Sequence, residues 1–150
     1  LRHKKGSIFF IDDHFAANQK RTIGLLDSMI DAGFNRPWAA QLRTEASKND
    51  KLLSKMKKAG CDTVQIGFES INEQSLIDMN KGQTVPDIKR SIKMFHSHDI
   101  RVQGMFILGT DSDSKASFKE TSDFCKDSNL DYVQYTILTP LPGTRFYKKL

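Results

Sequence analysis

Two hydrophobic rhythms alternate along this chain. Ser7-Ile8-Phe9-Phe10-Ile11 is a continuous apolar run that stops at Asp12-Asp13-His14-Phe15. Such runs suit strands buried on both faces, as in parallel sheets. Asn18 then caps a helix, with Ile23, Leu25, Leu26, Met29 and Ile30 on its apolar face and Gly33 as its stop. Pro37 to Arg43 reads as a second strand passing into Thr44-Glu45-Ala46-Ser47. Asn49 or Asp50 caps the next helix, which turns Leu52, Leu53 and Met56 inward and ends at Gly60. In the third strand Val64 and Ile66 alternate with Thr63 and Gln65, and Gly67-Phe68-Glu69-Ser70 closes it. Leu76, Ile77 and Met79 are helically spaced. Thr84-Val85-Pro86 opens another helix, lined by Ile88, Ile92, Met94 and Phe95. Ile100 to Leu108 is the fourth strand, closed by Gly109-Thr110-Asp111-Ser112-Asp113. Phe118, Thr121, Phe124 and Cys125 mark a helix face, and Tyr132 to Leu138 is the fifth strand. Thr139-Pro140-Leu141-Pro142-Gly143-Thr144 is a rigid loop, and a last helix begins at Phe146-Tyr147 and runs to Leu150.

Strand and helix thus alternate at intervals of about 30 residues, the size of a βαβ unit. The expected fold class is α/β, with a parallel sheet and right-handed crossovers. Two architectures fit five such strands. An incomplete (β/α) barrel places them side by side in sequence order, 1-2-3-4-5. A flavodoxin-like doubly wound sheet, a non-catalytic binding or signalling module, reads 2-1-3-4-5. Every strand ends in polar residues: Asp12/Asp13, Arg43/Glu45, Glu69/Ser70, Asp111/Asp113 and Thr139. Helix capping explains any one of these as well as ligand binding does. As a set they converge on one mouth only in a barrel, which is therefore the favoured fold. A phosphoacceptor receiver is disfavoured, because its third strand needs an Asp and its fifth a Lys, where this chain has Glu69 and Thr139-Pro140. A nucleotide-binding domain is disfavoured too, because acids follow the first strand where a Gly-rich turn is needed.

Composition adds mainly exclusions. The chain has 150 residues, enough for one domain, and a net charge of +5. Lys48, Lys51, Lys55 and Lys58 recur at helical spacing, as on a solvated helix face. No basic run interleaves with aromatics, so nucleic acid is not an expected partner. No apolar run approaches the ~20 residues that cross a bilayer. The basic Leu1 to Lys5 stretch precedes no long apolar segment, so it is not read as a signal peptide. The chain does not begin with Met, and we expect a piece of a longer protein. Cys61 and Cys125 are isolated and read as buried free thiols of a reducing, cytoplasmic compartment. His3, His14, His96 and His98 form no ligand set, so no metal site is expected.

Four pieces, in order and at strand ends, resemble the radical S-adenosylmethionine (SAM) superfamily, in particular its cobalamin-binding branch. They are Phe10-Ile11-Asp12-Asp13-His14-Phe15; Ile66-Gly67-Phe68-Glu69-Ser70 with Met79-Asn80-Lys81-Gly82-Gln83-Thr84; Gly104 to Asp113; and Thr139 to Thr144. The resemblance implies a six-stranded partial (β/α) barrel, of which residues 1–150 carry strands two to six. It implies an enzyme that binds a [4Fe-4S] cluster through CxxxCxxC and splits SAM reductively to methionine and a 5′-deoxyadenosyl radical. Cobalamin-dependent methylation of a small-molecule substrate, or a related Fe–S oxidoreductase reaction, would follow. CxxxCxxC does not occur in this sequence, so no tightly bound cofactor is expected on this piece alone. By the same resemblance Asp12 and Asp13 face the amino group of SAM, and Glu69, followed by Ser70, binds the ribose. Gly109 lets the backbone approach the cofactor, and Thr139, Pro140 and Leu141 line the adenine side. Arg43 and Glu45 point at the same mouth and touch SAM or substrate. The Ser7 to Asp12 strand has no Pro or Lys to blunt an open edge, which predicts self-association.

Overall fold

The structure is a computed structural model that describes residues 6–149. The basic Leu1 to Lys5 stretch, with His3, and Leu150 lie outside the described residues. The strands are β1 (Ile8–Phe10), β2 (Trp38–Leu42), β3 (Cys61–Glu69), β4 (Arg101–Leu108) and β5 (Tyr132–Ile137). The helices are α1 (Gln19–Asp31), α2 (Asp50–Lys58), α3 (Glu73–Asp78), α4 (Val85–His96) and α5 (Lys115–Asp127). A 3-10 turn, Thr44–Lys48, follows β2. A second, Tyr147–Lys149, stands where a final α-helix was expected. Asn49, not Asp50, caps α2, its side chain accepting the Leu52 N–H at 3.1 Å. Thr84 and Asp87 form a reciprocal capping box at the start of α4.

All five strands are parallel and lie in the order β1-β2-β3-β4-β5. That order excludes the flavodoxin-like arrangement and is the order of a (β/α) barrel. Alternation then divides the sheet into two faces. Trp38, Ala40, Leu42, Val64, Ile66, Phe68, Val102 and Phe106 are all buried on one. Leu26, Leu52, Leu53, Met56, Ile88, Ile92 and Phe95 belong to the same core, so the helices cover this face. The opposite face carries Gln41, Gln65, Gly67, Gln103 and Met105, each only partly buried. Helices on one face mean crossovers of one hand, as barrel closure requires. All of β5 is exposed, and Val133, Tyr135 and Ile137 continue its helix-side face; Phe118 of α5 is exposed as well. Cys61 and Cys125 are buried free thiols, as expected. Among the described residues no helix is long and apolar enough to cross a membrane.

Candidate active site at the strand ends

The loop after β1 is hung from its fifth residue, Phe15. The Phe15 ring lies 4.9 Å from Phe10 and 5.2 Å from Trp38. Its N–H donates to the Gln41 carbonyl at 2.9 Å, and the Thr22 hydroxyl donates to its carbonyl at 3.0 Å. With Phe15 buried, the turn leaves Asp12 and Asp13 exposed at the rim. His14 is half-buried, and its Nδ1 is shut away with no hydrogen-bond partner among the described residues. Burial and the nearby Arg43 cation hold its pKa below the ordinary imidazole value, against an opposing pull from Glu45. The ring is therefore neutral at pH 7, and the ends of β1 and β2 meet electrostatically.

The end of β3 is more tightly constructed. Its register with β4 slips between Gly67 and Glu69, so the strand bulges there. Glu69 lies in the left-handed region, φ 65°. Such a conformation costs a non-glycine residue about 1–3 kcal/mol and persists only where surroundings impose it. The surroundings are visible. The Glu69 carboxylate folds back over Gly67, where an added Cβ would stand 2.5 Å from Oε1. Lys81 Nζ donates to the same oxygen at 2.7 Å. Gln83 fixes the loop that carries Lys81: its Nε2 donates to the Phe68 carbonyl at 2.8 Å, and its Oε1 accepts from the Thr44 hydroxyl. Ser70 is buried, and its hydroxyl accepts the Asn72 N–H at 3.0 Å. A hollow of about 540 Å3 opens here, lined among others by Arg43, Glu45, Lys48, Gly67 and Lys81.

The remaining stations are loops. Gly109 takes φ 93°, and the Asp113 carboxylate accepts the N–H groups of Gly109 and Thr110 at 2.8 and 2.9 Å. Asp113 thus shapes its own loop and leaves Asp111 exposed. Thr139 is exposed, its hydroxyl donating to the Ile137 carbonyl at 3.0 Å; Pro140 is half-buried and Leu141 is exposed.

The structure therefore gathers Arg43 and Glu45 at one hollow. Glu69 sits at its border through Lys81. Asp12, Asp13, Gly109, Thr139, Pro140 and Leu141 occupy the same strand-end rim without lining that hollow. Sequence reasoning gave Lys81 and Gln83 no individual role, although both lie in the Met79 to Thr84 motif. A lone cation after a helix, downstream of a strand-end acid, was the available signal. His14 was missed because its environment is created by β2. Among the described residues no group of three or more His, Cys, Asp or Glu could hold a metal ion. Burial also pushes both cysteine thiols up, away from the thiolate form that a cluster ligand needs.

The profile of the Radical SAM superfamily matches residues 10–125. The chain belongs to that superfamily. It is 32% identical over 151 aligned positions to the bacteriochlorophyllide d C-12(1)-methyltransferase of Chlorobaculum tepidum, covering 100% of this chain and 33% of that protein. Its fold is that of TsrM, a radical SAM methyltransferase from Kitasatospora setae, solved with cobalamin and a [4Fe-4S] cluster bound. The TM-score is 0.77 at 13% identity, over 90% of this chain and 28% of that one. TsrM with tryptophan substrate and a SAM analogue matches at 0.74 and 13% identity, over 85% of this chain and 26% of that one. This radical SAM chain thus spans about a third of the curated relative's length.

Proposed function

We propose that this chain supplies the SAM-binding rim of a radical SAM enzyme of the cobalamin-dependent methyltransferase branch, acting on a small-molecule substrate. One observation carries the reading: Glu69 is held in a costly left-handed conformation over Gly67, its carboxylate beside the Lys81 ammonium. The donor set suits SAM. Glu69 accepts from vicinal ribose hydroxyls, Asp12 and Asp13 face an ammonium, and Lys81 provides the countercharge for a carboxylate. Gly109 offers backbone with no Cβ, and Thr139, Pro140 and Leu141 give the adenine a mixed apolar edge. Arg43 and Glu45 border the hollow where SAM or substrate enters. The residues do not suit a [4Fe-4S] cluster, because the two cysteines are buried in the core. The role of this chain is therefore to orient SAM and keep water from it.

The test is SAM binding by calorimetry, to the complete cluster-loaded protein and to this chain alone. The few hydrogen bonds of the rim, roughly 0.5–3 kcal/mol each, barely offset association entropy. The chain alone should bind with a dissociation constant on the order of millimolar, or about −4 kcal/mol. In the complete protein Glu69→Ala should weaken SAM tenfold or more, about 1.4 kcal/mol. An unchanged affinity removes Glu69 from the ribose contact, and micromolar binding by the chain alone misplaces the anchoring energy. A cytoplasmic location and the lack of a nucleic-acid partner belong to the same reading. So does self-association of the isolated chain through β1, which pairs only with β2 among the described residues. Sedimentation at rising concentration checks the last, and a strict monomer removes it.

A further inference from the structure

The face of the sheet that no helix covers carries a row of amides. Gln41, Gln65 and Gln103 stand opposite one another on β2, β3 and β4. Gln134 continues the row diagonally on β5, opposite Met105. The amides run head to tail: Gln65 Nε2 donates to Gln103 Oε1 at 3.2 Å, and Gln103 Nε2 donates to Gln134 Oε1 at 3.2 Å. At the strand starts Asp62 pairs with Arg101, whose Nη1 donates to the Tyr132 hydroxyl at 2.6 Å. A hollow of about 280 Å3 lies between that cluster and the row.

A barrel interior that is simply packed is filled by branched aliphatic side chains. Buried amides without partners would be costly in such a core. Four glutamines here therefore describe a surface meant to stay wet or to be filled by a polar ligand. The open valences indicate which. Each carboxamide offers two N–H donors and two acceptor lone pairs, and the row uses only some of them. The Gln41 side chain has no hydrogen-bond partner among the described residues, and Gln134 Nε2 donates to none of them. At the strand starts the charges cancel, since Arg101 is already held by Asp62. A carboxylate would reach a cation only beyond Gln41, at Arg43 on the strand ends, and not along the row itself, while a hydrocarbon would leave the amides unmatched. A ligand amide presents one donor and one acceptor side by side and satisfies both. Resting on the SAM-binding assignment of the rim, we propose that Gln41, Gln65, Gln103 and Gln134 read an amide group on the small-molecule substrate.

The test uses the complete, cluster-loaded protein and matched probe pairs: tryptophanamide with tryptamine, nicotinamide with 3-methylpyridine, and a dipeptide amide with its reduced amine. Calorimetry should show each amide binding at least tenfold more tightly than its partner. Gln65→Leu/Gln103→Leu should erase that ratio. Gln134→Leu, at the exposed end of the row and remote from the core, should reduce it and serves if the double variant does not fold. Preference for dipeptide amide over both free carboxamides would identify a peptide substrate; the reverse would identify a small carboxamide. Equal binding within every pair, binding of no amide, or a preference that survives in the variants that fold overturns the proposal. SAM cleavage by the wild-type protein is measured in parallel. Its absence strikes the rim assignment, whereas its presence with no amide preference strikes the glutamine row alone.

Discussion

β2, β3 and β4 each turn two different faces to their surroundings, and the contrast separates what makes this chain fold from what makes it a site. On the helix side, Phe68 is fully buried with its ring 5.8 Å from Phe106, and Val64 and Ile66 beside it are equally closed. On the other side, one residue away along the same strand, Gln65 and Gly67 stay partly open. The first face is fixed by apolar area removed from water, at about 25 cal/mol per Å2. The second is organised by single hydrogen bonds and by the Glu69–Lys81 and Asp62–Arg101 ion pairs, each contributing little to stability. Strand-end chemistry can therefore vary while the scaffold stays put. The left-handed Glu69 is tolerated because the helix-side core on either side of it is already paid for.

The largest test of this contrast is a matched pair on β3. Phe68→Ala should destabilise the chain by about 3–5 kcal/mol, as truncation of a closed aromatic generally does. Gln65→Ala should cost less than about 1 kcal/mol, since it removes one half-exposed hydrogen bond. Urea unfolding of both variants measures the difference. Equal losses would mean that the open face is as tightly packed as the covered one.

A smaller effect on stability, but a decisive one for the rim, is expected of Gly67→Ala. The new methyl would meet Glu69 Oε1 at 2.5 Å, so the carboxylate must swing away and release Lys81. Stability should change by about 1 kcal/mol or less, because a half-exposed ion pair contributes little. SAM affinity of the complete protein should fall about tenfold, the loss of one charge-assisted hydrogen bond. In a Glu69→Ala background the same substitution should have no further effect on SAM, which a double-mutant cycle reads directly. Additive losses would show that Gly67 acts by some route other than the carboxylate above it.

Much of this was legible in the chain and some of it was not, for identifiable reasons. The alternation of Val64 and Ile66 with Gln65, the Asn18 and Thr84 caps and the acids at strand ends are local features, and local physics reports them. Strand order needed the additional fact that the strand ends are polar throughout. The bulge at Gly67/Glu69, the left-handed Glu69 and its pairing with Lys81 depend on β4 and on the loop before α4, and no window around Glu69 contains them. The glutamine row needs a register across four strands. Each member was visible as a polar position, yet nothing in the sequence aligns Gln41 with Gln65 or Gln65 with Gln103. The 3-10 turn over Thr44–Lys48 was likewise unread, because its short polar sequence has no helical apolar period.

The smallest effect separates the rim from the core by pH. His14 is held neutral chiefly by burial and then by Arg43, with Glu45 opposing. Its folded pKa lies below that of the unfolded chain, about 6.5. The unfolded state therefore takes up the proton first as pH falls. The contribution of His14 to stability is thus complete above about pH 6.5 and is lost as pH falls through the lower folded value. His96 and His98 are each ion-paired with an Asp, so wild-type stability alone is not diagnostic of His14. The informative quantity is the difference between wild type and His14→Asn, which cannot take up that proton. Urea midpoints for the two should run parallel from pH 8 to 7 and converge towards pH 5, the wild type losing more. Because Arg43 contributes to the shift, Arg43→Gln should move the convergence to higher pH, and Glu45→Gln should move it lower. Parallel midpoints throughout would mean that the half-buried imidazole is solvated well enough to titrate as in the unfolded chain, and that the β1 and β2 ends do not meet there.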